Sequence, residues 1–399
     1  MMKVRNYILL LLLAVMPLSG HAASKGLRFF YRLGERMDRY LLENVDTNYI
    51  TLPEHSWSVA FTGSMIGINS YYQTNLPGSS TSKLALLTHT TPSVDLGFNA
   101  GYRGFGGGYS WDVLNAYSHN FNLSLGSKSM GLDFRRQVSS NISGRVTDPD
   151  HPSSSLEMPD NLLRITNMNL TAWYALNSEH YSHYAAIKQS YIQKKSAGSL
   201  LLSLSYLYTD YSIRDTLKLG DNPLLSYIMD SITSVTMHQV AVGLGYGINY
   251  TPNKGKVVLH ASATLQLVCY SLNQISLIIA DSIRQQLPGE PRFNIRSHYP
   301  VHVTGNVRAA VSWEINRWVH MSLWAQGDHT RFQAREGEYS NVIIRNWNWH
   351  VHLNVGVRFG AGKKRVREAL ANDPLPEPKP VRSTKLPKWI TDYFYSPSL

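Results

Sequence analysis

Three groups of residues have the types and spacing to do chemistry. The first is "GYRGFGGG", Gly101 to Gly108, with five glycines around Arg103. A phosphate-cradling loop needs spaced glycines ahead of a helix N-terminus, where free amides and the helix dipole meet the anion. Here the G-x-G-x-x-G spacing fails at Tyr109, no G-K-S/T follows, and the next residues read as a strand. The glycines therefore read as a tight bend between strands. The second group is His320-Met321-Ser322. A His and a Ser two apart on a strand share a face and lie within reach of each other, as a base and a nucleophile require. His180-Tyr181-Ser182 and His260-Ala261-Ser262 share that spacing, and no acidic orienter is fixed, with Asp328, Glu336 and Glu314 all open. The third group is His350 and His352, with His302. Two such rings can chelate, but no carboxylate or third ligand is fixed by spacing. The expectation is no metal and no cofactor.

The elements that must position these residues follow a period of two. Val94, Leu96, Phe98, Ala100 and Tyr102 oppose Asp95, Gly97, Asn99, Gly101 and Arg103. Gln239 to Tyr250 and Trp347 to Phe359 alternate in the same way. These runs reach ten residues or more, whereas globular strands usually have about five or six. A tilted strand needs about nine to eleven residues to cross a bilayer. A cation on the lipid face near the midplane costs roughly 2–4 kcal/mol, so the apolar face turns to lipid and the polar face inward.

About twelve such strands are expected, at 56–68, 93–103, 107–115, 119–126, 129–138, 166–177, 197–209, 235–250, 255–271, 300–315, 318–332 and 342–360. Aromatic residues cluster toward strand ends, as at Trp57, Trp111, Tyr250 and Trp318, which are girdle positions. The connections alternate. "GFGG", "GSK", "TPNKG" and "NR" are short, while 69–92, 139–165, 210–234 and 272–299 are long. That asymmetry is the bacterial outer-membrane pattern.

One short-side connection, 178–197, is long. It reads as a partial plug or a plain inner loop, with Gln189, Gln193, Lys194, Lys195, Ser196 and Gly198 as its candidates. Asp95, Arg103, Asp112, Asp133, Arg135, Arg308, Glu314, His350, His352 and Arg358 fall on the inward faces as lumen-lining candidates. They mix both signs, so no single ion is selected. Arg103 is expected to point toward carboxylates such as Asp95 or Asp112.

The ends differ from the barrel segment. Lys3 and Arg5, an apolar run over 7–18 and small residues to Ala23 read as a signal peptide over 1–23. In 24–46 the period turns helical, with Arg28, Arg32, Arg36 and Arg39 opposite Phe30, Leu33, Met37 and Tyr40. The barrel is expected over 47–360, and 361–399 is a basic, proline-rich periplasmic tail that could engage a periplasmic partner. After the leader no stretch of about 18 apolar residues occurs, and Cys269 is the only cysteine. Export and the scatter of the basic residues argue against nucleic acid despite the net charge of +11.

"VDTNYITLP", "LGFNAGYRGFGGGYSWDV", "LGSKSMGLDFRRQ", "YAAIKQSYIQKKSAGSLLLSLSY" and "NVGVRFG" together resemble an uncharacterised family of exported Gram-negative proteins. That family is grouped only as a domain of unknown function and regarded as outer-membrane β-barrels. The resemblance spans about Lys25 to Gly360 and implies fold and location, not catalytic residues. The His-x-Ser spacing also resembles that of outer-membrane lipid A deacylases.

The sequence thus predicts an all-β protein, a transmembrane antiparallel up-and-down barrel of about twelve strands with a short N-terminal amphipathic helix. It is expected as a monomer in the bacterial outer membrane, contacting outer-membrane lipid and, during biogenesis, the barrel-assembly machinery. A non-enzymatic narrow channel or structural role leads. A lipid-modifying hydrolase using a His-x-Ser pair, with His320 and Ser322 first, is the alternative, and a soluble exported β-protein the third.

Overall fold

The computed structural model describes Leu41 and residues 45–75, 83–90, 93–114, 118–127, 129–140, 142–148, 151–158, 163–213, 234–276, 294–298, 301–336 and 340–360. They belong to one compact unit, Met37–Gly362. The expected signal peptide and tail, and all of the expected helix but Leu41 and 45–46, lie outside the described residues.

The strands, in chain order, are β1 (Ile50–Thr51), β2 (Trp57–Asn75), β3 (Lys83–Thr90), β4 (Ser93–Tyr102), β5 (Phe105–Asp112) and β6 (Ser118–Gly126). Next come β7 (Met130–Ser139), β8 (Ile142–Asp148), β9 (His151–Met158) and β10 (Leu163–Ala175), then a one-turn helix α1 (Tyr184–Ile187) and β11 (Ile192–Gln193). The chain continues through β12 (Ala197–Ile213), β13 (Ser234–Tyr250), β14 (Val257–Ser276), β15 (Asn294–His298), β16 (His302–Glu314), β17 (Val319–Glu336) and β18 (Ser340–Phe359).

Twelve of these form a closed antiparallel ring: β2, β4, β5, β6, β7, β10, β12, β13, β14, β16, β17 and β18. The ring closes where β18 pairs β2, from Phe359↔Trp57 to Ile343↔Gln73. Closure leaves no barrel edge unpaired. Outside the ring, β3 pairs the far end of β2, β8 pairs β3, β9 pairs β8, and β15 pairs β14.

The alternation decides which face goes where. Phe98, Leu204, Leu244, Leu265, Val307 and Leu353 are exposed on the outside. The residues between them in sequence point inward. On β18 the exposed apolar series runs from Trp347 to Val357. Ten residues at about 3.3 Å each, tilted about 40°, project to about 25 Å, the height of a lipid-facing band. Trp57, Trp313, Trp318 and Tyr250 edge the band at the short-turn end, and Trp111, Tyr206, Tyr270 and Trp347 at the other. No described helix is long and apolar enough to cross a membrane.

Several strand limits differ from the sequence expectation. The turn between β4 and β5 is Arg103-Gly104, not "GFGG". Gly106, Gly107 and Gly108 sit inside β5. Arg103 takes a φ of +55° there. Gly104 has no room for a Cβ, which would lie 1.7 Å from the Gly126 carbonyl oxygen. The segments expected as long loops hold β3, β8, β9 and β15 and the far ends of β2, β12 and β14. Beyond the lipid band both faces of a strand can be polar, so the alternation fades while the ladder continues. Cys269 is exposed, at a register shift of β14, where Val240 pairs Tyr270 and Ala241 pairs Val268.

Candidate functional site

The lumen is closed at three levels, each built from a different kind of contact. At the short-turn end, residues 181–193 fold up into the barrel. Every residue of α1 is buried, and Tyr181, Ser182, His183, Gln189, Tyr191 and Gln193 are buried with it. The two residues of β11 pair β1, Ile50↔Gln193 and Thr51↔Ile192, outside the main sheet. Trp173, Ala175 and Leu201 from the wall pack with Tyr181, Tyr184 and Tyr191 from the plug, and Leu41 joins that cluster.

Glycines in the wall make the space for these rings. A Cβ on Gly126 would lie 2.0 Å from the Tyr184 ring, and one on Gly247 would lie 2.2 Å from the Tyr181 hydroxyl.

Polar side chains then hold the plug in register. The Tyr184 hydroxyl donates to Asp133 (2.9 Å). Arg358 donates to the Gln189 carbonyl (3.0 Å) and pairs with Glu314 (2.5 Å). Gln189 donates to the Met321 carbonyl (2.9 Å), and its Oε1 meets His320 Nδ1. Gln189 reaches both because its φ of +52° turns the chain sharply after α1. Asn249 donates to the Ser182 carbonyl (2.8 Å) and to Gln193 Oε1 (3.2 Å).

His183 sits between Arg308, whose NH1 approaches its Nε2 at 3.3 Å, and the Tyr181 hydroxyl, 3.1 Å from its Nδ1. An arginine can only donate. Nε2 is therefore the acceptor, and Nδ1 carries the proton. Burial holds His183 well below the usual histidine range, and His260 and Arg308 push the same way.

At mid-height, Arg135 pairs with Asp328 at 3.3 Å. Strands β7 and β17 are six steps apart in the ring of twelve, so this pair crosses the lumen. Asp328 also accepts from Gln326 (2.8 Å) and from Asn306. Toward the long-connection end, the rings of Tyr72 and Tyr211 meet edge to face, 5.1 Å apart. Strands β2 and β12 are again six steps apart, so opposite walls touch. Inward-facing Ile68, Met237, Phe332 and Ile344 are buried in the same half of the barrel. The sequence expectation of a polar lumen is corrected here: where walls meet and exclude water, apolar side chains fill the interior.

Between plug and mid-height lies a cavity of about 160 Å³. At roughly 15 Å³ per water site, it holds about ten waters or one small solute. Its charged lining is Arg103, Asp133, Arg135, Lys188, Arg308 and Arg358. Lys188, just past α1, sits inside the barrel with its side chain accessible from the cavity. Desolvation lowers its ammonium pKa first; Asp133 raises it, and Arg308 and Arg135 lower it further.

The match to known families covers the whole barrel. A family model described as a domain of unknown function, DUF4421, matches residues 44–359. The chain belongs to this family. No curated protein matches. Among solved structures, the outer membrane protease OmpT of Escherichia coli is 9% identical, covering 75% of this chain and 97% of that one, with a TM-score of 0.41. An outer membrane channel of Pseudomonas putida F1 is 13% identical, covering 79% and 99%, with a TM-score of 0.29. The translocator domain of the autotransporter NalP of Neisseria meningitidis is 11% identical, covering 84% and 98%, with a TM-score of 0.31. The barrel rests on its own strand pairing.

In this DUF4421 chain the residues singled out from sequence fall into separate places. Asp133, Arg135, Arg308, His350, His352 and Arg358 border the large cavity. Glu314 is the partner of Arg358. Asp95 and Asp112 lie opposite each other near the far end of β4 and β5. Asp95 accepts from Ser118 (2.7 Å) and Asn120 (2.6 Å). Arg103 does not reach either carboxylate as expected: eight residues of strand separate it from Asp95, about 26 Å. It donates instead to the Pro53 carbonyl (3.1 Å).

Of the plug candidates, Gln189 and Gln193 are buried within the barrel. Lys194 and Lys195 lie at the rim, one donating to the Thr47 carbonyl (2.9 Å), the other over the Tyr49 ring. Ser196 is exposed beside Thr251, and Gly198 belongs to β12.

Among the described residues, His320 and Ser322 share no hydrogen bond. His320 turns to Gln189, and Ser322 accepts from Asn354 (3.3 Å). The second match to that spacing is assembled differently. Ser262 Oγ lies 3.1 Å from His260 Nε2, and His260 Nδ1 lies 2.8 Å from Asn249 Oδ1. The Asn249 amide donates to two oxygens of the plug, so its Oδ1 is the acceptor, His260 Nδ1 carries the proton, and Nε2 accepts from Ser262. Sequence spacing marked His260 and Ser262, but not Asn249, which joins them through the β13–β14 register, Asn249↔His260. Sequence reasoning also missed Lys188, since a lysine in a connection gives no sign of which side of the wall it ends on.

Proposed function

We propose that this chain is a bacterial outer-membrane β-barrel of non-enzymatic type, acting as a narrow channel with a built-in plug. The closed ring, the apolar band of about 25 Å and the short connections at one end with long ones at the other support the outer-membrane location. The leader-like first 23 residues support export. The short-turn end then faces the periplasm and the lipid band contacts outer-membrane lipid.

The observation that carries the channel reading is how the plug is held. It enters from one end only and is held by aromatic packing, side-chain hydrogen bonds and a two-residue strand pair, not by the barrel ladder. Such a segment can leave the lumen while the wall stays intact. The test is single-channel conductance of refolded protein, comparing wild type with a variant whose residues 182–191 are replaced by a Gly/Ser linker. Wild type is expected to open rarely and the variant persistently. A variant that shows the heat-shifted gel mobility of a folded barrel yet stays silent refutes the channel. Recovery of the native protein as a soluble periplasmic species refutes the location.

A second reading, ester hydrolysis inside the lumen, is favoured by Ser262, His260 and Asn249. Nucleophile, base and orienter are in hydrogen-bond order there, with Arg308 directly across the register from Ser262 to meet a developing oxyanion. A fluorophosphonate probe should add its mass to wild type and not to Ser262→Ala. Equal labelling of both, or of neither, removes this reading.

A further inference from the structure

We propose that the large lumen cavity is a binding chamber for a small oxyanion, a phosphate or carboxylate group, held by Lys188 and Arg308. As a site of binding the chamber stands apart from the channel reading; as a filter for what passes, it rests on that reading.

The lining is strongly unbalanced. Five of its side chains are cationic (Arg103, Arg135, Lys188, Arg308 and Arg358) and one, Asp133, is acidic. Two of the five are neutralised by carboxylates, Arg135 by Asp328 and Arg358 by Glu314. Arg103 lies in the turn at the chamber's end. Lys188 and Arg308 remain. Among the described residues the Lys188 ammonium has no ion pair or hydrogen bond, and Arg308 meets only the neutral His183 ring, with its Nε unpartnered. Asp133 is the one carboxylate in the lining for both, so together they leave a net positive charge inside the barrel, and enclosed charge that is not balanced is costly. An anion in the chamber supplies the missing charge.

The uncharged lining points the same way. His350 is buried and its Nδ1 has no partner, and the His352 Nε2 and Ser190 Oγ are likewise unpartnered. All three residues border this cavity. They offer donors to oxygen atoms while adding no negative charge. Asp133, the one acidic lining group, accepts the Tyr184 hydroxyl, which ties it to the plug. The volume of about 160 Å³ suits a small anion with a few waters, not a folded or polymeric ligand.

The test uses thermal unfolding of the full-length protein refolded in a zwitterionic detergent at pH 7. Inorganic phosphate and acetate are titrated separately against sodium chloride at equal ionic strength. A ligand that binds only the folded state raises the midpoint with concentration. Phosphate, acetate or both should do so beyond the chloride control, and which of them acts identifies the group the chamber takes. Lys188→Gln and Arg308→Gln should each weaken the apparent affinity by about tenfold or more, the loss of one charge-assisted hydrogen bond. Lys188→Arg should retain it and shows that the plug still folds. A midpoint that follows ionic strength alone, or an unchanged response in Lys188→Gln, overturns the proposal. An anion response in a protein that never conducts overturns the channel and leaves the chamber standing.

Discussion

At the scale of single residues, the lumen end of the barrel depends on groups whose charge is satisfied by one partner. Arg358 is almost fully buried and neutralised by Glu314, across β17 from it, while its other nitrogen holds the plug through Gln189. Replacing Arg358 by Met strands a largely buried carboxylate and an unsatisfied carbonyl. The expected loss is about 3–5 kcal/mol, read as a lower midpoint in urea unfolding of the refolded barrel. Glu314→Gln in the Arg358→Met background should recover part of it. His183 gives a pH dependence with a definite sign. Its folded-state pKa is depressed, chiefly by burial and then by His260 and Arg308, and its neutral ring accepts from Arg308. The stabilisation is complete above about pH 6.5, where the ring is neutral in both states. Below that, the unfolded chain takes up the proton first, so stability falls with pH until the folded ring titrates as well. Unfolding midpoints between pH 7 and 4 should decline in wild type and decline less in His183→Asn.

The elements show how small side chains in the wall are used to admit large ones from the plug. Gly126 ends β6 where Tyr184 of α1 lies against it. A methyl group there overlaps the ring, so Gly126→Ala should cost about 1–3 kcal/mol. Pairing it with Tyr184→Ala should cost less than the sum of the two single changes, a coupling of about 0.5–3 kcal/mol for residues in contact. Additive costs would mean that Tyr184 does not pack there. The same contacts explain why α1, only four residues long and without a side-chain cap, holds its shape. Its stability comes from the walls around it, since an isolated turn of helix is unstable in water.

For the whole molecule, the strongest constraint is that one face of every strand meets lipid. Leu265 is among the most exposed apolar residues and lies near mid-height of the outer band on β14. Leu265→Arg should lower stability in lipid bilayers by about 2–4 kcal/mol. In detergent micelles, which deform around a charge, the loss should be smaller. Gln266→Arg, one residue on and facing the lumen, should show no such dependence on the surrounding medium. Equal penalties at both positions in bilayers would be incompatible with the barrel's orientation.

Much of this was legible in the residue pattern. Alternation over Ser93 to Arg103 or Trp347 to Phe359 states which face meets lipid, because side chains alternate with a period of two and a charge on lipid is too costly. Strand number and the rhythm of short and long connections follow from the same alternation. It could not place the bend at Arg103-Gly104, since glycines serve turns and crowded strands alike. Nor could it set how far β2 or β12 runs beyond the lipid band, where alternation is no longer enforced. What the tertiary structure alone decided is everything that happens across the lumen. Arg135 meets Asp328 and Tyr72 meets Tyr211 because closing twelve strands puts residues distant in sequence on facing walls. Asn249 joins His260 and Ser262 because two strands pair in one register. Lys188 came to a cation-rich place inside the barrel because residues 181–193 turn upward, into space left by glycines on strands far from them in sequence.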